Sequence, residues 1–174
     1  MNYLLKEITK EDLSDYMYVS TKAWNETYPG IVPDEFLKKI LAERDQKVAI
    51  LKNNFDQTKL EEPDYKRFLL YVNNEPSGIC GVCKSRDEKH PTSGEICTLY
   101  LLDKVKKQGY GQLLFTKAKE ELKKQGFHNM VIYCLKDNPT TNFYVHMGGK
   151  LSGTIEKNIG GKNLIENIYY FDNI

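Results

Sequence analysis

The residues best suited to chemistry lie in the segment LYLLDKVKKQGYGQLL, positions 99–114. An apolar strand pattern runs into a loop carrying Lys104, Lys106, Lys107, Gly109 and Gly111, and the loop opens directly into a helical pattern. A helix N-terminus presents unpaired amides and about half a positive charge, and glycine lets an anion approach the backbone closely. The segment is therefore a candidate cradle for a pyrophosphate, with the three lysines adding mobile positive charge. The glycines by themselves fit equally well a tight strand-to-helix turn beside a solvated lysine run. Two nucleotide-binding patterns are excluded. The Walker spacing is absent, and Leu114 occupies the place of the third glycine in G-x-G-x-x-G.

A second segment, DNPTTNFYVHMGG at 137–149, places a phenol, Tyr144, beside Phe143 on a short helical pattern. Taken alone, that pair reads as two half-buried core aromatics. Taken with the first segment it reads differently. KKQGYG (106–111) resembles the [Q/R]-x-x-G-x-[G/A] loop of the GCN5-related N-acetyltransferase (GNAT) family, with Lys106 where Gln or Arg is usual and Asp103 where proline is common. Residues 137–149 resemble that family's N-x-x-x-x-[FY]-Y-x-x-x-G-[FG] signature. The resemblance is specific over residues 66–152 and extends to the remainder by element order.

The resemblance implies one α/β domain over residues 1–174: a strongly twisted mixed sheet, mostly antiparallel, with helices on both faces and splayed parallel central strands. It implies acetyl-coenzyme A as co-substrate, its pyrophosphate held by the backbone of Lys106, Lys107, Gln108, Gly109, Tyr110 and Gly111. The pantetheine arm would run along the backbone at Leu101 and meet Asn138; the commoner, one-residue-longer spacing falls on Asp137. Tyr144 would protonate the departing thiolate.

The implied reaction is direct attack by an amine on a thioester. An alkylamine with a pKa near ~10 is mostly protonated at neutral pH, so the site must remove a proton. Glu95 is the candidate base. Counting by twos along an extended strand puts residues 95, 97, 99 and 101 on one face, so Glu95 would share a side with Leu101; a solvent-facing residue at a strand start is the other reading. A backbone N–H freed by a bulge near Leu101 would stabilise the oxyanion.

AWNETYPGIVPDEFL (23–37) resembles the helix-loop-helix that lines the acceptor site in bacterial family members. Trp24 and Tyr28 could offer an aromatic wall, and Asp34 a carboxylate, to a cationic amine. Trp24 is equally readable as core and Asp34 as a helix-start acid. The expected function is acetyl transfer to a primary amine of a small molecule or polyamine, without a metal. Two alternatives stay open: a regulatory module that binds acyl-coenzyme A without useful catalysis, and a protein N-terminal or lysine acetyltransferase.

These residues need elements to position them. Residues 2–8 read as a strand; Thr9, with Asp12 three residues later, marks a helix start; Leu13, Tyr16, Met17, Ser20, Ala23 and Trp24 form one face over 12–26. Tyr28-Pro29-Gly30 ends that helix, and a second follows from Pro33-Asp34 with Phe36, Leu37, Ile40 and Leu41 inward. A further helix is expected near 43–53, then a loop to Pro63. Strands at 67–72 and 77–85 form a hairpin through the turn 73–76, and 95–102 is the strongest strand pattern. A helix from 111 to Gly126, a strand at 129–135, a short helix and a hairpin around Gly160-Gly161 complete the order. Strands 95–102 and 129–135 should be parallel neighbours joined by the crossover helix.

Composition narrows the function classes. A chain of 174 residues fits one domain, and 25 basic against 24 acidic residues leave a net charge of +1, too little to advertise nucleic acid or an anionic membrane as partner. A hydrophobic fraction of 40% supports a core. The apolar run before Lys6 is very short, no stretch approaches a membrane span, and Cys80, Cys83, Cys97 and Cys134 come without a signal peptide; a soluble cytoplasmic protein with reduced, structural thiols is expected. A homodimer is compatible with this reading. The three histidines, His90, His128 and His146, are scattered and assigned no role.

Overall fold

The computed structural model describes residues 2–174. Strand β1 (Tyr3–Glu7) leads to helix α1 (Leu13–Thr27). Asp12 accepts from the Thr9 N–H at 2.8 Å and the Thr9 hydroxyl at 3.0 Å, and pairs with Lys6 at 2.9 Å. This is one half of a capping box: the carboxylate reaches back, but the Thr9 hydroxyl donates to it instead of capping, so the helix starts at Leu13. Leu13, Tyr16, Val19 and Ala23 form the buried stripe. Gly30, at φ +77°, turns the chain into α2 (Asp34–Ala42). There Leu37 is buried, but Leu41, expected inward, is exposed on the outer side.

Helix α3 runs from Arg44 to Glu61, eight residues beyond the expected end. No Gly or Pro interrupts 44–62, and Val48, Leu51 and Phe55, spaced three and four apart, keep one narrow apolar stripe against α1. Strands β2 (Lys66–Val72) and β3 (Glu75–Lys84) meet at a two-residue turn, Asn73 and Asn74, both at positive φ (51° and 65°). That turn suits the right-handed twist of a hairpin, and it leaves Glu75 and Pro76 inside the strand instead of the turn where the sequence pattern put them.

β4 (Gly94–Leu101) passes through a 3₁₀ turn (Asp103–Val105) into α4 (Tyr110–Lys124), which Gly126 ends at φ +88°. β5 (Met130–Leu135), α5 (Thr141–His146) and the hairpin β6 (Lys150–Ile159) and β7 (Lys162–Phe171) follow. The strands form one sheet in the order β1-β2-β3-β4-β5-β7-β6. Every pairing is antiparallel except β4 with β5. That parallel pair makes only two register contacts, Gly94↔Met130 and Glu95↔Val131. Beyond them the strands separate, and a wedge opens through the sheet.

The register of β3 with β4 goes from Val82↔Ile96 to Gly81↔Thr98, skipping Cys97. A bulge therefore sits at Cys97, not near Leu101 as expected. Gly81 permits it, since a Cβ there would stand 3.3 Å from the Cys97 Sγ. The extra residue reverses strand parity. Ile96, Leu99 and Leu101 all pack into the core beneath α4, so the expected common face for Glu95 and Leu101 is not formed.

Three clusters hold the sheet. Phe68, Val82, Leu114, Phe115 and Ile132 belong to the core shared with α4, which takes in Tyr144 of α5. Leu13, Val19, Leu69 and Ile79 belong to the opposite face under α1 and α3. Tyr28, Val32, Leu37, Leu135, Ile159 and Leu164 tie α2 to the C-terminal hairpin.

Candidate active site

Two cavities meet at the wedge. The first, about 600 Å³, is lined by Leu101, Lys106, Lys107, Gly109, Gly111, Gln112, Asn138, Phe143 and Tyr144, among others. Gly109 precedes α4 at φ +86°, and Lys107 is also left-handed at φ +59°. The first backbone bond of the helix runs from the Leu113 N–H to the Gly109 carbonyl at 3.1 Å, so the amides of Gly111 and Gln112 have no helical partner, and the N-cap residue, Gly109, has no side chain to cap them. A Cβ on Gly111 would touch Phe143 at 3.6 Å and Leu101 at 3.7 Å, both cavity walls, so the glycine keeps space open over the helix end. An apolar trough ending in unpaired amides and two lysines fits a long thiol-bearing cofactor with a pyrophosphate.

Not every expected side chain faces this trough. Gln108 Nε2 donates to the Lys104 carbonyl at 3.1 Å, and Tyr110 is buried, edge-on to Tyr3 at 6.1 Å. Both can serve a cofactor only through the backbone. Lys104 pairs with Glu75, outside the trough, while Lys106 lines it and pairs with Asp103 at 2.6 Å.

The second cavity, about 470 Å³, is lined by Trp24, Tyr28, Glu95, Cys97, Tyr100 and Tyr133 together with Arg86, Lys157 and Glu166. Glu95 is fully buried, and both its oxygens are engaged: Arg86 Nη2 at 2.5 Å on one, Arg86 Nε at 3.3 Å and the Arg86 N–H at 3.1 Å on the other. Asp34 does not line this cavity. Arg86, Lys157, Glu166, Tyr100 and Tyr133 carried no motif in the sequence. Only the alternation of β4 places Tyr100 next to Leu99 and Leu101.

Leu99, Tyr100, Asn138 and Tyr144 line both cavities and form their junction. Asn138 Oδ1 accepts from the Thr140 N–H at 2.8 Å and the Thr140 hydroxyl at 2.7 Å, and Nδ2 donates to the Tyr28 hydroxyl at 3.0 Å. Its side chain thus fixes the entry to α5 and the position of Tyr28. The Trp24 ring also packs against Tyr100, with centroids 6.4 Å apart. The Trp24 and Tyr28 rings pack at 4.8 Å and 61°. Burial pushes the Tyr144 phenol well above its ordinary pKa, and burial raises Tyr100 to about 12. Both hydroxyls therefore keep their protons at neutral pH.

The four cysteines are free thiols. Cys80 and Cys134 are buried, and Cys83 and Cys97 lie half-buried on the adjacent strands β3 and β4. Among the described residues no group of three or more His, Cys, Asp or Glu side chains is placed to hold a metal ion, and no helix is long and apolar enough to cross a membrane.

Known proteins share this fold. The acetyltransferase (GNAT) family profile matches residues 21–148. The uncharacterized N-acetyltransferase YuaI of Bacillus subtilis (strain 168) is 27% identical over 146 residues, covering 80% of this chain and 76% of the relative. Among solved structures, the paia N-acetyltransferase of Thermoplasma acidophilum in complex with coenzyme A aligns with a TM-score of 0.69 at 18% identity, over 96% of this chain and 98% of that one. The protein yncA of Salmonella typhimurium, solved with its cofactor acetyl-CoA, aligns with a TM-score of 0.70 at 14% identity, over 99% of this chain and 94% of that one.

Proposed function

The chain belongs to the acetyltransferase (GNAT) family, and from that premise we propose that it transfers the acetyl group of acetyl-coenzyme A to a primary amine of a small molecule. The observation that carries the proposal is the junction: a trough ending at a helix N-terminus and a cavity lined by aromatic and charged side chains meet at Leu99, Tyr100, Asn138 and Tyr144. Bound acetyl-coenzyme A supplies an activated acetyl thioester. The amides of Gly111 and Gln112, with Lys106 and Lys107, bind its pyrophosphate, and the open edge of β4 beyond Glu95 offers backbone groups to the amide-bearing arm.

Tyr144 holds a proton at its Oη and gives it to the departing sulfur, a role worth about 10²–10⁴ in rate for a well-placed acid. Glu95 takes the proton of the attacking amine, directly or through one water, once amine or water displaces Arg86 from one carboxylate oxygen. Amides of β4 left unpaired by the divergence of β5 stabilise negative charge developing on the acyl oxygen. Trp24 and Tyr28 wall the acceptor and exclude water. The proposal is tested by following free-thiol release from acetyl-coenzyme A over a panel of primary amines. Glu95→Gln should lower kcat by about 10²-fold or more and leave the KM for acetyl-coenzyme A unchanged; unaltered kcat would remove Glu95 from the mechanism.

A further inference from the structure

The acceptor cavity has a charge pattern that narrows the class of amine it takes. Its two lining carboxylates are the better buried members of two ion pairs, and their cationic partners stand outward. Glu95 is 1% exposed and Arg86 68%; Glu166 is 12% exposed and Lys157 51%, with 3.6 Å between them. The pairs come from different walls: Arg86 from the loop after β3 and Glu95 from β4, Lys157 from β6 and Glu166 from β7. Tyr133 on β5 lies between them and feels Asp87, Glu95, Arg86 and Glu166 together. Asp87, the acid beside Arg86, is buried and does not line this cavity.

We infer that the acceptor is an amine that also carries a carboxylate, an amino-acid-like zwitterion, and that Arg86 and Lys157 hold that carboxylate at the rim. The inference rests on the acetyl-transfer reading above. An ammonium entering the cavity finds each carboxylate already neutralised. A zwitterion exchanges partners, its ammonium taking one oxygen of Glu95 and its carboxylate taking the displaced guanidinium, so the number of compensated charges is unchanged. A polyamine exchanges nothing. It adds two or more positive charges beside Arg86 and Lys157, with no lining anion left to receive them. Arg86 suits the exchange, because Nε and Nη2 hold Glu95 while a guanidinium has five donors in all.

The test uses amines that differ by one carboxylate: lysine against cadaverine, ornithine against putrescine, phenylalanine against phenethylamine. Free-thiol release from acetyl-coenzyme A is measured at matched pH and ionic strength, with acetyl-coenzyme A binding followed by calorimetry. In at least one pair the carboxylate-bearing member should show a kcat/KM about tenfold or more above its partner, falling with added salt. Arg86→Ala and Lys157→Gln should each shrink that preference by raising the acceptor KM while leaving acetyl-coenzyme A affinity intact. Because Arg86→Ala strips the buried Glu95 of its partner and puts folding at risk, Lys157→Gln carries the test on its own. Equal or faster turnover of the carboxylate-free member in all three pairs, or a preference that survives in Lys157→Gln, overturns the acceptor assignment and leaves acetyl transfer standing. No turnover of any amine while acetyl-coenzyme A binds overturns the acetyl-transfer reading itself, and this inference with it.

Discussion

At the scale of residues, a few side chains and two glycines make the candidate site, and they differ in how visible they were in sequence. Gly111 leaves room over the amides of α4, so Gly111→Val should reduce acetyl-coenzyme A affinity by about tenfold or more in calorimetry while the far-UV circular dichroism stays unchanged. An unchanged affinity would move the pyrophosphate elsewhere. Tyr144 belongs to a compact local motif, which made it legible from the sequence alone. Its environment was not: burial raises its pKa, so it stays protonated above neutrality. Loss of its proton therefore cannot limit the rate until the pH exceeds the ordinary phenol value of about 10. The kcat profile should accordingly show no descending limb below that pH. A fall between pH 7 and 9, with the fold intact by circular dichroism, would exclude Tyr144 as the acid. Arg86, Lys157 and Glu166 were invisible in the sequence because they come from a loop and two late strands and meet only across the wedge.

At the scale of elements, the site depends on where strands pair and where they stop. The parallel neighbours β4 and β5 were readable from a strand, a crossover helix and a second strand in order; the point at which they part was not. The bulge at Cys97 was also hidden, since nothing in 94–101 distinguishes it from regular alternation, and it turned the expected face of Glu95 over. The glycine across the strand was its only trace. The length of α3 was missed because a polar helix with one thin apolar stripe resembles a loop in composition.

The entry to α1 makes a quantitative case. Burial opposes ionisation of Asp12, but the Thr9 N–H and hydroxyl and the Lys6 ammonium overcome it and hold its pKa below the ordinary value. Its contribution is therefore present above the ordinary aspartate pKa of about 3.9 and is lost as the pH falls through the lowered one. Asp12→Ala should cost about 1 kcal/mol at pH 7, a shift of roughly 2–4 °C in Tm for a chain of this size, and the difference from the parent should shrink in acid. A difference that grows as the pH drops would contradict the assignment.

At the scale of the whole molecule, a near-neutral chain of 174 residues concentrates its useful charge in two places, lysines at one helix end and paired ions around one cavity. Both cavities open on a single sheet, and residues of the first 65, with the C-terminal hairpin, pack together beside the second of them. Acetyl-coenzyme A at a hundred times its Kd should stabilise the fold by about 2.7 kcal/mol, visible as a rise in Tm; no rise at saturating ligand would remove the cofactor assignment. The junction of the two cavities carries the proposed function, and Tyr144 is the group proposed to react there. Steady-state free-thiol release with a saturating amine acceptor, measured for Tyr144→Phe beside the parent, tests it most directly. A kcat lower by about 10²–10⁴ with the KM for acetyl-coenzyme A unchanged is the predicted result; a kcat equal to that of the parent would contradict it.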